Sequence, residues 1–207
     1  MNKIEKHSVQ DIYNTISNHF DNTRHFVWPS VKEFLEGLPK YTLIADIGCG
    51  NGKNMCHLNN DYLFIGMDFS IKLLDICYKK KLETCVANNC ILPFKNNIFD
   101  NSISIAVVHH LSTPELRLQA IDEILRITKP NGLIMIQVWT FERDFNKTFD
   151  SQDAMVPWKT KTDTYYRYYY LFKINELDTL INKSKYKNTI VKSYKERDNY
   201  IVIFHKN

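Results

Sequence analysis

Apolar residues recur along this chain with two different periods, and the change between them divides it into regions. Val9, Ile12, Tyr13, Ile16 and Phe20 fall at helical spacing and predict an amphipathic helix. Residues 18–25 read as a polar link into Trp28-Pro29. Pro29 can open a second short helix carrying Val31, Phe34, Leu35 and Leu38, which stops near Gly37 to Pro39. Short apolar runs and helical segments then alternate. A first strand over 42–47 enters a glycine-rich turn, and a helix follows to about Leu58. A second strand over 62–67 ends at Asp68, with Ser70 placed to cap a helix reaching about Lys81. A brief third strand lies near 84–87, and a run of Ile, Ala and Val interrupted by Ser104 predicts a fourth over 101–108. Thr113-Pro114 starts a helix with Leu118, Ile121, Ile124 and Leu125 on one face, and Asn131-Gly132 turns into a fifth strand over 133–139. Beyond a polar, aromatic stretch come a helix near 174–182 and two closing strands, about 189–194 and 200–205, around a polar turn at 196–199.

That alternation implies an α/β fold with a mainly parallel sheet covered by helices on both faces. It reads as one domain over 1–207, with a helical N-terminal cover over 1–40 and an insertion over 140–172. Composition adds little: 207 residues with 44% hydrophobic content can bury a substantial core, and a net charge of +4 points only weakly to an anionic partner. Cysteines at 49, 56, 77, 85 and 90 are odd in number and lack a Cys-x-x-Cys pair, so neither a disulfide framework nor a zinc site is suggested. The first residues lack a signal-peptide apolar core and no 18-residue apolar run occurs, so a soluble protein of the cytoplasm, or also of the nucleus, is expected without a membrane contact.

The candidate chemistry begins at Asp46-Ile47-Gly48-Cys49-Gly50-Asn51-Gly52. Three glycines at alternate positions after a buried strand describe a sharp turn whose bare backbone a ligand can touch. The dinucleotide fingerprint would need its third glycine at position 53, where Lys53 stands. The spacing instead resembles motif I of the S-adenosylmethionine-dependent methyltransferases. That resemblance implies the class I fold: a seven-stranded, mainly parallel sheet closed by an antiparallel hairpin. Gly48, Gly50 and Gly52 would let the methionine part of the cofactor approach, and Asp46 would hold the loop and favour its ammonium group. Asp68 at the end of strand 2 suits the two ribose hydroxyls, although a strand-end Asp also caps helices. Asn88 is the candidate for the adenine amine, with Asn89 or a plain turn as alternatives. Ile105, Ala106 and Val107 would lie beneath adenosine and sulfonium, or belong to the core.

Several rarer segments narrow the reading. They are Tyr13-Asn14-x-Ile16-x-x-His19-Phe20-x-x-Thr23-Arg24-His25-x-x-Trp28-Pro29, Ser104-Ile105-Ala106-Val107-Val108-His109-His110-x-Ser112-Thr113 and Val156-Pro157-Trp158, then Arg167-Tyr168-Tyr169-x-Leu171-Phe172 and Asp198-Asn199-Tyr200. Together they resemble the eukaryotic tRNA wobble-uridine carboxymethyl methyltransferases from about residue 9 onward. The resemblance implies methyl esterification of 5-carboxymethyluridine in the anticodon loop, with S-adenosylhomocysteine as the second product. A small carboxylic acid or other metabolite is the alternative substrate. A carboxylate is ionised at neutral pH and needs an orienting cation rather than a base, so Arg24 and Arg167 are candidates for it or for phosphate, with His110 facing the substrate. Trp28, Trp139, Trp158 and Tyr168 are stacking or wall candidates, although Trp28 could instead staple the N-terminal helices. His109 and His110, adjacent at a strand end, should point to opposite sides, which disfavours a metal pair. Relatives usually carry Asp where Asn88 stands, and the segment over 143–155 is short. The resemblance also implies a small zinc-binding activator subunit, expected at the sheet edge between Thr84 and Ala87, with the zinc held by the partner.

Overall fold

The computed structural model describes residues 3–58, 60–142 and 149–207. Its helices are α1 (Lys3–Glu5), α2 (Asp11–Thr23), α3 (Pro29–Glu36), α4 (Lys53–Leu58), α5 (Ile71–Lys79), α6 (Pro114–Ile127) and α7 (Glu176–Asn182). Its strands are β1 (Leu43–Ile47), β2 (Leu63–Asp68), β3 (Thr84–Val86), β4 (Asn101–Ile105), β5 (Leu133–Trp139), β6 (Asp153–Lys159), β7 (Thr164–Tyr170), β8 (Asn188–Glu196) and β9 (Asn199–Lys206).

Seven strands form one sheet in the order β3-β2-β1-β4-β5-β9-β8. The pairings from β3 to β5 are parallel, and β9 enters antiparallel between β5 and β8. This is the sheet expected from the resemblance. Strands β1, β4 and β5 are nearly all buried; β1 and β5 read as mostly apolar runs, whereas β4 alternates and buries Ser102 and Ser104 as well. One core layer gathers Ile121, Ile124 and Leu125 of α6 under the sheet, while Val31, Phe34 and Leu35 of α3 and Leu74 and Cys77 of α5 pack on the other face. Among the described residues no helix is long and apolar enough to cross a membrane.

Three expectations need correction. The polar link over 18–25 is mostly helix: a π-helical turn (Lys6–Gln10) runs into α2, which continues to Thr23. Its polar second half is held by partners distant in sequence, with Asp21 accepting from Asn51 Nδ2 at 2.8 Å and from Lys80 Nζ at 2.7 Å. The fourth strand stops at Ile105, because Ala106 turns the chain at φ 62° and Val108–His110 coil into a 3-10 turn. His109 and His110 are therefore not strand residues on opposite sides. Both rings are buried, with centroids 4.6 Å apart.

The polar, aromatic stretch forms an antiparallel ribbon, β6 with β7. Pro157 disguised it in the sequence, but a two-stranded ribbon leaves each strand one open side on which a missing N–H costs nothing. Ala154, Val156, Tyr169 and Leu171 form a small core of their own beneath it. Residues 143–148, part of the expected insertion and of the segment read as short, lie outside the described residues.

Candidate active site

The carboxyl ends of β1, β2, β4 and β5 open on a cavity of about 650 Å³, roofed by α2, the segment before α3 and β7. Its floor is the glycine turn. Gly48 has φ 76°, and a Cβ there would stand 2.3 Å from Val107 Cγ2. At Gly50 an added Cβ would meet only the Phe20 ring, at 3.5 Å, so the missing side chain leaves backbone open to the cavity. Gly52 lies away from the cavity, where a Cβ would come within 2.3 Å of Leu82; its bareness serves packing.

Asp68 locks this turn to β2. Its Oδ2 accepts the Gly50 N–H and its Oδ1 the Ser70 N–H, each at 2.8 Å. A carboxylate oxygen accepts at two sites, so both retain capacity for a ribose hydroxyl. Burial raises the Asp68 pKa, opposed by these N–H groups. Asn88 spends its Oδ1 on the Cys90 N–H at 3.0 Å. Asn89 Oδ1, also on the cavity, is buried with no partner among the described residues, so an acceptor for an adenine amine stands on Asn89 as well as on the second lone pair of Asn88 Oδ1. Ile105, Ala106 and Val107 line the same space. Asp46 sits behind the turn rather than in the cavity. Asn54 Nδ2 reaches its Oδ2 at 3.4 Å, its Oδ1 has no partner among the described residues, and burial pushes its pKa up to about 7. A cation lying over the turn would favour its ionised form. Glycine backbone, a strand-end carboxylate and orphaned acceptors fit the amino-acid, ribose and base parts of S-adenosylmethionine.

The other half of the cavity is built around Arg167. This side chain is 5% exposed, yet among the described residues no carboxylate pairs with it, and its Nε–H has no acceptor. Aromatic rings surround it, with its guanidinium carbon 4.6 Å from the Trp158 centroid, 5.1 Å from Tyr169 and 5.7 Å from Tyr13. Its Nη1 donates to the Tyr13 hydroxyl at 3.1 Å, and that hydroxyl lies 3.0 Å from His110 Nε2. Arg24, at the exposed end of α2, stands 4.9 Å from the same Trp158 ring. Arg24, Trp28, His110, Trp139 and Arg167 all line the cavity.

Two predicted wall residues do not. Trp158 is buried as a platform between cations, its Nε1 donating to His19 Nδ1 at 3.0 Å. Tyr168 points away, its hydroxyl donating to Asp153, while its carbonyl oxygen meets His110 Nδ1 at 2.8 Å. Tyr169 takes the wall position instead, stacked on His109 at 4.6 Å. Once β7 is known to be a strand, Tyr169 shares a face with Arg167 two residues earlier, but the run of tyrosines hides that alternation in the sequence. Tyr13, Lys53 and Arg197 also line the cavity without having been singled out as site residues. Tyr13 stood within a helical apolar stripe, where nothing marks its hydroxyl as special. Lys53 was legible as the first residue after the glycine motif; burial and the neighbouring Arg24 charge pull its pKa down to about 8.

A crevice at the carboxyl ends of this sheet, edged by a glycine turn and a carboxylate on the next strand, is the arrangement of the class I S-adenosylmethionine-dependent methyltransferase fold. A family model described as a methyltransferase domain matches residues 45–136. A SAM-dependent methyltransferase from Thermotoga maritima superposes with a TM-score of 0.73 at 18% identity, covering 96% of this chain and 99% of its own. A Haloferax volcanii methyltransferase, solved in complex with the Trm112 methyltransferase activator, gives 0.68 at 14% identity, covering 94% of each chain. The tRNA (carboxymethyluridine(34)-5-O)-methyltransferase of Schizosaccharomyces pombe is 34% identical over 98% of both chains. The chain belongs to that family. It is also similar to the Xenopus tropicalis protein of that name, at 32% identity over 98% of this chain, and to the Arabidopsis thaliana one, at 46% over 69%. It spans only 41% and 35% of the length of those two relatives.

Proposed function

We propose that this chain methylates the carboxylate of 5-carboxymethyluridine at the wobble position of tRNA, giving the 5-methoxycarbonylmethyl ester. The observation that carries the reading is Arg167, a buried guanidinium on the cavity wall with no carboxylate among the described residues to neutralise it. A buried cation without a counter-charge is costly, and an anion entering beside it recovers that cost. A substrate carboxylate has the shape and charge to do so in bidentate geometry. S-adenosylmethionine, when bound, supplies a methyl group on positively charged sulfur. Gly48 and Gly50 would hold its amino-acid end, Asp68 its ribose, and Asn88 or Asn89 its adenine. Arg167, with Arg24 nearer the mouth, would orient the carboxylate in line, and orientation is most of what this reaction asks of a protein. A carboxylate with pKa about 4 needs no general base.

RNA rather than a free metabolite is supported by the surroundings of the opening. Phe26 is 89% exposed at the cavity, and Arg24, Lys53 and Arg197 also line it. Aromatic rings and cations together are the means by which proteins hold unpaired RNA bases and their phosphates. We further propose a small zinc-binding activator subunit, the zinc being the partner's, docked on the edge strand β3, and an enzyme of the cytoplasm, or also of the nucleus. The Haloferax volcanii neighbour's activator supports the first idea, and the open edge of the sheet the second.

The test is incubation of the chain, with and without its activator, with labelled S-adenosylmethionine and carboxymethyl-modified tRNA, followed by nucleoside mass spectrometry. The methyl ester is expected. Label on a free carboxylic acid instead, at a rate insensitive to salt, would overturn the tRNA reading.

A further inference from the structure

His110 has no lone pair to offer a substrate, and the hydrogen-bond chain through it shows why. Its Nδ1 lies 2.8 Å from the Tyr168 carbonyl oxygen, which only accepts, so Nδ1 carries the proton. The ring is buried beside the Arg167 cation, and both effects hold its pKa down to about 3, so the imidazole is neutral. Nε2 is then an acceptor, and the hydroxyl 3.0 Å away must donate to it. That hydroxyl belongs to Tyr13. With its proton committed to His110, the Tyr13 oxygen is left to accept, from Arg167 Nη1 at 3.1 Å and beside the Tyr169 hydroxyl. The direction of every bond follows: Arg167 to Tyr13, Tyr13 to His110, His110 to the backbone of β7.

We propose that Tyr13 is a positioning residue whose hydroxyl, oriented by His110, fixes the Arg167 guanidinium at the angle that receives the substrate carboxylate. This rests on the reading of Arg167 as the carboxylate-binding group. Among the described residues the other contacts of the Arg167 guanidinium are with rings, whose faces attract a cation without dictating its rotation. The Tyr13 oxygen is a directional acceptor for Arg167 within a wall of non-directional contacts. The chain also ties α2 to β7, so the roof of the cavity and its orienting cation are set together. His110 accordingly acts through Tyr13 rather than on the substrate. His109 behaves oppositely: its Nδ1 accepts the Trp139 N–H at 3.0 Å, leaving the proton on Nε2.

Long-range ¹⁵N spectra of the histidine rings test the direction of the chain in the wild-type protein. His110 should carry its proton on Nδ1 and His109 on Nε2; a proton on His110 Nε2 would overturn the proposal, whatever the substrate. Tyr13→Phe keeps the ring, which packs 5.6 Å from Phe20 and 5.3 Å from His110. It should leave S-adenosylmethionine affinity unchanged and lower kcat on carboxymethyl tRNA by roughly 10- to 100-fold, the scale of a small misplacement of a reacting group. In an Arg167→Gln background the same substitution should cost nothing further. Full additivity of the two losses, or an unchanged kcat in Tyr13→Phe, would overturn it. If the wild type forms no methyl ester, the substrate reading fails, and the tautomer assignment still decides the chain.

Discussion

Arg167 and Asp46 are buried charges of opposite sign in opposite circumstances. Arg167 stays ionised because burial alone cannot deprotonate a guanidinium, so its unspent charge faces the cavity. Asp46 has an alternative, and burial raises its pKa to about 7. In the unfolded chain the same carboxyl titrates at about 3.9. Between those values the folded protein holds a proton the unfolded chain has released, so the Asp46 contribution to stability declines as pH rises through that window and levels off above it. Asp46→Asn removes this dependence. Thermal melts of the cofactor-free protein should show the variant equal to wild type near pH 3.5 and more stable at pH 8. Asp68, which burial also shifts upward, adds to the Asp46 shift through its charge, so the comparison reads the Asp46 titration together with its coupling to Asp68. Identical pH slopes in the two proteins would show that Asp46 is not the group responsible.

At the scale of elements, helix starts were legible because their signals are local. Ser70 accepts the Leu73 N–H and Thr113 the Leu116 N–H, each at 3.3 Å, as their position before an apolar helical face implied. The β6–β7 ribbon was not legible, since a strand containing Pro157 and a run of tyrosines carries no clean alternation until its partner is known. Edge strand β3 is three residues long, and Val86 on it is 53% exposed. If the activator adds there, Val86→Lys should abolish co-purification with it while leaving the melting temperature of the isolated chain within about 2 °C, as expected for an exposed site. Retained binding with the lysine in place would move the interface elsewhere.

For the whole molecule, a net charge of +4 says little until its distribution is known. The cavity lining collects Arg24, Lys53 and Arg197 from segments far apart in sequence. If each meets one phosphate, log K for an anticodon stem-loop should fall against log salt with a slope of about −2, and Arg197→Ala should flatten it by about 0.7. A slope near zero would exclude these three as phosphate contacts. The same convergence built the active site. The sequence by itself determined the sheet, the glycine turn and Asp68, because backbone conformation, burial period and capping are set by neighbours within a few residues. The class of chemistry is what the resemblance carried by those features implies. Only the tertiary structure decided which side chains line the cavity and how: Tyr169 rather than Tyr168, Trp158 as a platform, His110 spent on Tyr13. Those assignments depend on α2 and the β6–β7 ribbon crossing the same strand ends, and contacts between segments some 150 residues apart leave no periodic trace in either one.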